Sequence, residues 1–135
     1  QYPGIQNYID STCSMAREKK YVETILGRRR PIWDADSDNG LRRQAAERMA
    51  INMPIQGSSA EMIKIAMIRI AEEISKLNLR SKLVLQIHDE LIFEFPYEEE
   101  EVLIKLVIDK MENAMKLNVP IIVDYGIGNS WYEAH

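Results

Sequence analysis

Cysteine is nearly absent: Cys13 is the only one in 135 residues, so no internal disulfide is possible. Histidine is almost as scarce, with His88 and His135 alone, and no Cys/His cluster has zinc-ligand spacing. No apolar run reaches the ~18–20 residues that a membrane-spanning helix needs. The opening QYPGIQNYID has neither a basic region nor an apolar stretch, so it does not read as a signal peptide. It also lacks an initiator Met and starts in a Tyr-Pro-Gly turn, which points to a segment of something longer. Glycine-rich phosphate loops, HExxH helices, internal repeats and low-complexity tracts are missing too. A Ser-His-Asp triad finds no footing, because His88 and Asp89 are sequence neighbours pointing apart on a strand. One free thiol and no membrane segment fit a reducing cytoplasm.

What is there suits a single globular domain with a core: 46% hydrophobic and 28% charged residues. The net charge of −4 does not mark a nucleic-acid binder. Its distribution says more. Residues 1–48 carry nine Lys and Arg against seven Asp and Glu, and residues 49–135 carry eight against fourteen. The densest basic groups are Arg28-Arg29-Arg30 and Arg42-Arg43 with Arg48. They read either as solvated surface or as a phosphate-facing patch.

The periodicity predicts a helix over 3–19 after Pro3, then a strand over 21–26, a turn through Gly27 and the arginines, and a return strand over 31–33. Residues 34–40 (DADSDNG) form a loop by composition. A helix over 41–53 should end or kink at Pro54, which has no N–H and crowds the preceding turn. Ser58-x-x-Glu61 then fits a capping box opening a helix to about residue 77, with Ile63, Ala66, Met67, Ile70, Ile74 and Leu77 on one face. Residues 82–95 are the clearest β segment: Leu83, Leu85 and Ile87 alternate, as do Leu91, Phe93 and Phe95. A helix over about 98–116 opens on the acidic run Glu98–Glu101, which suits the positive end of a helix dipole, and carries Ile104, Val107, Ile108, Met111 and Met115 as its stripe. Residues 120–125 read as a last strand. The order predicts an α+β fold in which helices cover one face of an antiparallel sheet.

Two constellations stand out. His88-Asp89-Glu90 joins two apolar strands with almost no loop and no glycine, where tight hairpins favour Asn-Gly or Asp-Gly. An ordinary charged turn is one reading. The other is a partial cation site, since adjacent carboxylates attract a hard ion such as Mg²⁺. Two carboxylates cannot complete a two-metal site, which needs further ligands. Arg48, Asn52 and Gln56 recur every fourth residue and share one helix face if Pro54 only kinks the helix. This is either a solvent-facing polar stripe or a nucleic-acid face: an Arg for phosphate and amide donors for minor-groove acceptors, whose positions vary little between base pairs. Tyr2, Tyr8, Tyr21, Trp33 and Trp131 are available for base stacking or for packing.

Taken together, these stretches resemble the bacterial DNA polymerase I type of family A DNA polymerases. Residues 46–58 (AERMAINMPIQGS) resemble its palm helix, and residues 85–91 (LQIHDEL) its third polymerase motif. Residues 21–30 (YVETILGRRR) resemble its fingers hairpin, and the ending from Val123 to Trp131 its C-terminus. The resemblance covers nearly the whole chain in order. It implies part of a right-hand polymerase fold, with residues 1–40 finishing the fingers subdomain and residues 41–135 forming the C-terminal part of the palm. It implies that Asp89 binds catalytic Mg²⁺, that Glu90 supports the metal site and that His88 lies near the primer terminus. Arg48 would hold the template–primer backbone with Arg28, Arg29 and Arg43, while Asn52 and Gln56 touch the minor groove. The implied reaction is two-metal nucleotidyl transfer from a deoxynucleoside triphosphate to a primer 3′-hydroxyl, in DNA replication or repair. The first metal-binding motif and the nucleotide-binding fingers helix are not in the segment. It is therefore expected to be inactive alone, to need the rest of the polymerase chain, and to self-associate through an unpaired sheet edge. Two other classes compete: a non-catalytic nucleic-acid-binding α+β module in which the HDE tip is only a turn, and a structural α+β domain that binds no DNA.

Overall fold

The structure, a computed structural model, describes residues 2–134. His135, one of the two histidines counted above, lies outside the described residues. The elements are α1 (Pro3–Lys19), β1 (Tyr21–Glu23), β2 (Arg29–Pro31), α2 (Gly40–Lys76), β3 (Lys82–Ile87), β4 (Glu90–Glu94), a 3-10 turn (Tyr97–Glu99), α3 (Glu100–Glu112) and α4 (Trp131–Ala134). The fold is α+β, as the pattern predicts. The chain divides into two compact units, Gln1–Glu61 and Met62–His135.

In the first unit α1 starts on Pro3 and stops at Lys20, whose left-handed φ of 60° closes the last turn through its N–H to the Ala16 carbonyl. β1 and β2 then pair antiparallel, with Val22 opposite Arg30. The return strand is shorter and earlier than expected: it uses Arg29, Arg30 and Pro31, not Ile32 and Trp33. Hydrogen bonds set that register. The Thr24 N–H donates to the Arg28 carbonyl and the Gly27 N–H to the Thr24 carbonyl, with Gly27 at φ 83°. A three-residue loop ending on a left-handed glycine is a favoured hairpin connection. The core joins Ala16, Val22, Ile32, Ala35, Ala46 and Ala50, with Met53 against them. Four of these are alanines, so α1, the hairpin and α2 approach closely.

Pro54 does not end its helix. α2 runs 37 residues with Pro54 inside it. The capping-box reading of Ser58 and Glu61 is overturned with it. The Ser58 hydroxyl turns back and donates to the Pro54 carbonyl, four residues earlier, while accepting the Ile25 N–H at 2.9 Å. Glu61 reaches Arg28 instead of a helix start. A serine bonding an i−4 carbonyl is a mid-helix pattern, not a cap.

In the second unit β3 and β4 pair antiparallel around a two-residue turn, with an irregularity between Leu83 and Leu85. That extra residue breaks the expected alternation. Leu83 and Ile87 are half-buried, but Val84 and Leu85 are 51% and 47% exposed on a strand with one partner. Leu91 and Phe93 of β4 pack with Ala66, Ile70, Ile74, Leu106, Val107, Met111 and Ala114, so helices do cover one sheet face. The expected α2 stripe holds at Ala66, Ile70 and Ile74, while Leu77 is exposed beyond the helix end. α3 spans 100–112, not 98–116. Its buried residues are Leu103 and Leu106, and Val107 and Met111 of the expected stripe pack against the same core. Glu99 does more than face a dipole: its carboxylate accepts the Arg80 N–H at 2.8 Å, the Ser81 N–H at 2.9 Å and the Ser81 hydroxyl at 2.6 Å. This ties the start of β3 to the start of α3.

The expected last strand over 120–125 does not form among the described residues. The Val123 N–H donates to the Glu112 carboxylate at 3.2 Å, and Ile122 is 78% exposed. A β-rich sequence makes a strand only where a sheet edge receives it. Among the described residues no helix is long and apolar enough to cross a membrane.

Candidate functional site

The carboxylate tip belongs to the second unit. Ile87 and Glu90 are the last facing pair of the β3–β4 ladder, so His88 and Asp89 are the two turn residues. His88 sits at φ 51°, in the left-handed region. A two-residue turn of the II′ kind gives this first central position to glycine. Holding a histidine there costs mild backbone strain. The Gln86 side-chain amide braces the turn by donating to the His88 carbonyl at 2.6 Å. His88, Asp89 and Glu90 are all exposed, and Asp89 makes no hydrogen bond or ion pair among the described residues. The tip thus presents a carboxylate whose lone pairs are available, beside a second one at the first position of β4. Among the described residues no three His, Cys, Asp or Glu side chains converge on one point.

The polar stripe belongs to the first unit. Because α2 is continuous through Pro54, Arg48, Asn52 and Gln56 fall on one face, and all three are exposed. Asn52 and Gln56 line an open concavity of about 630 Å³ with Arg28, Arg29, Arg30, Pro31, Met49, Met53 and Gly57. The hairpin arginines and the helix amides therefore share one basic groove. Arg48 and Arg43 lie outside its lining. Arg43 donates to the Ser37 carbonyl at 2.9 Å.

The arginines of the groove are not equivalent. Arg28 pairs with Glu61 at 3.0 Å and donates to the Gly57 carbonyl at 3.3 Å. Arg29 pairs with Glu23 at 2.7 Å and lies 4.5 Å over the Tyr21 ring. The hydrogen bond that Arg29 donates to Glu23, then the nearby Tyr21 and Glu23 groups, hold the Arg29 pKa above its ordinary value. Arg30 makes no ion pair among the described residues, and neither does Arg48. Their charges are available to an anion, whereas those of Arg28 and Arg29 are partly neutralised. Sequence reading groups the three hairpin arginines together. Only the register, with Arg29 opposite Glu23 and Arg30 opposite Val22, separates them. The Glu61 partner of Arg28 was hidden because Ser58-x-x-Glu61 imitates a cap.

The sequence profile of DNA polymerase family A matches residues 1–133. The chain belongs to that family. Curated relatives of this family A segment include DNA polymerase I of Caldicellulosiruptor bescii, 44% identical over 133 residues, and DNA polymerase I of Bacillus subtilis, 47% identical over 133 residues. Each match covers 98% of this chain but only 16% and 15% of the respective relative. Among solved structures, the POL domain of Pol1 from M. smegmatis, in complex with DNA primer-template and dNTP, superposes with a TM-score of 0.96 at 45% identity. That match covers 98% of this chain and 24% of the other. The family A membership and the polymerase-domain fold agree with the resemblance read from the motifs.

Proposed function

We propose that this chain is the C-terminal fingers and palm part of a template-directed DNA polymerase that transfers a nucleotide from a deoxynucleoside triphosphate to a primer 3′-hydroxyl. The observation that carries the reading is the carboxylate-tipped hairpin within a chain matched by family A along 1–133. Residues 1–40 belong to the fingers and residues 41–135 to the palm in this reading. The M. smegmatis relative holds DNA primer-template and dNTP, which supports the same partners here. One free, buried thiol at Cys13 suits a cytoplasmic setting.

The donor set fits Mg²⁺. Asp89 and Glu90 offer hard, exposed oxygens, and adjacent carboxylates gain from a divalent cation between or beside them. Two bound ions would lower the pKa of the primer hydroxyl and neutralise the triphosphate and the leaving pyrophosphate. Asp89 and Glu90 would hold the ions, and two residues are fewer ligands than two ions need, so the rest of the polymerase chain and the substrate would supply others. His88 stands beside the primer terminus. Arg48 positions the template–primer through its backbone, assisted by Arg28, Arg29 and Arg43, and such contacts carry no sequence information. Asn52 and Gln56 donate to minor-groove acceptors that all correct pairs share, testing pair shape. The isolated segment is not expected to extend a primer. Its exposed Val84 and Leu85 favour self-association in the absence of the remaining chain.

Asp89→Asn in the full-length polymerase tests the reading. Asn keeps the shape of the turn residue and removes the charge that a hard cation requires. Single-turnover nucleotide addition should fall on the order of a thousandfold, about 4 kcal/mol, with template–primer affinity and Tm little changed. A stable variant within tenfold of the parent rate would refute the metal role and favour the non-catalytic binding module.

A further inference from the structure

We propose that Tyr8 and Ser58 are positioning residues that set the path of α2 through Pro54 and thereby aim Gln56; this rests on the reading of Gln56 as a minor-groove donor. Pro54 stands between Asn52 and Gln56. It supplies no N–H to the Ala50 carbonyl, and its ring crowds that carbonyl, so the helix is least self-determined at this turn. Two side chains from outside the backbone ladder act on carbonyls there. The Tyr8 hydroxyl, on α1, donates to the Ile51 carbonyl at 2.8 Å. The Ser58 hydroxyl donates to the Pro54 carbonyl at 2.5 Å and accepts the Ile25 N–H at 2.9 Å, which ties the same turn to the hairpin. Tyr8 is half-buried and Ser58 buried, so both bonds are partly sheltered from water. Burial, opposed by a Thr12 hydrogen bond, holds the Tyr8 phenol above its ordinary pKa and keeps it a donor.

The consequence is geometric. Arg48 and Asn52 precede the proline and Gln56 follows it, so their common face depends on how the helix passes Pro54. A helix released at Ile51 or at the Pro54 carbonyl can swing its next turn. Gln56 then misses an acceptor whose hydrogen bond tolerates only a few tenths of an ångström. Tyr8 touches neither substrate nor reacting atoms in this account. Its hydroxyl matters through the backbone it holds.

The test uses the full-length polymerase with Tyr8→Phe, which keeps the ring and removes only the hydroxyl, and Ser58→Ala as a second variant. Each is compared with Gln56→Ala on a primer ending in a natural purine and on one ending in the 3-deaza analogue, which lacks the N3 acceptor. The parent should extend the analogue more slowly than the natural terminus. Tyr8→Phe and Ser58→Ala should each slow extension from the natural terminus about three- to tenfold, the scale of one hydrogen bond. They should also shrink the natural-to-analogue ratio toward that of Gln56→Ala, which a merely destabilised polymerase would leave intact. If Gln56→Ala abolishes the ratio while both positioning variants keep the parent's, the inference is overturned and the reading of Gln56 stands. If Gln56→Ala itself keeps the ratio, the minor-groove reading fails and the inference fails with it.

Discussion

Gly57 lies where α2 faces Thr24 of the hairpin, and that contact yields a sign-reversing prediction. A Cβ added at Gly57 would lie 2.7 Å from the Thr24 Cγ2, nearer than real methyl contacts come, while its other neighbours are Met53 Cε at 3.6 Å and Arg28 Nη2 at 3.9 Å. Thr24 cannot rotate aside without loss. It is buried, and its Oγ1 accepts the Arg28 N–H at 3.0 Å. Gly57→Ala therefore forces a shift of hairpin against helix, costing about 1–3 kcal/mol as overpacking does. Against this, Ala in a helix interior gains about 1 kcal/mol over Gly. The net expectation is a loss of about 1 kcal/mol. In a Thr24→Ser background the Cγ2 is gone and the Oγ bond to Arg28 is kept, so Gly57→Ala should become stabilising by up to about 1 kcal/mol. The double-mutant cycle on the full-length polymerase, read by denaturant melts of the transition that contains this unit, should give a coupling of about 1–3 kcal/mol. Additive effects would show that the Thr24–Gly57 contact is not what demands glycine. A parallel DNA-binding measurement should show the single variant weakened and the double variant restored, since the hairpin carries Arg28 to Arg30.

Arg48→Ala should weaken template–primer binding about equally for all sequences and lower the slope of log K against log salt by about 0.9, the value for one lost phosphate contact; an unchanged slope would place Arg48 away from the backbone. Glu99→Gln should lower Tm at neutral pH, with a gap from the parent that closes in acid. The Arg80 and Ser81 hydrogen bonds, backbone and side-chain, hold the Glu99 pKa below its ordinary value. The stability it contributes is thus fully present above the unfolded carboxyl pKa of about 4.3 and is lost as pH falls through the lower folded value. Melts at pH 7 and at pH 3 check this, and a gap that persists in acid would assign the effect to something other than the Glu99 charge.

Much of the candidate site could be read without coordinates, because its signals are local. The alternation on either side of His88-Asp89-Glu90 places the carboxylates at a hairpin tip, and the two-residue turn follows from how little chain joins the strands. The fourfold spacing of Arg48, Asn52 and Gln56 puts them on one face of any helix that contains them all. The α+β class follows from the order of periodic segments. Tertiary structure decided what depends on neighbours. Pro54 would break an isolated helix, but Ser58 from within α2 and Tyr8 from α1 hold the carbonyls around it. Residues 120–125 have strand-like composition, but a strand is a pair, and no described edge receives them. The Leu83–Leu85 irregularity turned Leu85 outward, which no alternation pattern could reveal. The arginine triplet, uniform in sequence, was divided by register and by Glu23 and Glu61 into two paired members and one whose charge stays available. The sequence by itself determined periodicity, spacing and which side chains the candidate site offers. The tertiary structure decided which ends, partners and charges survive once each segment meets the groups packed against it, because hydrogen bonds and ion pairs between distant segments exist only in the folded chain.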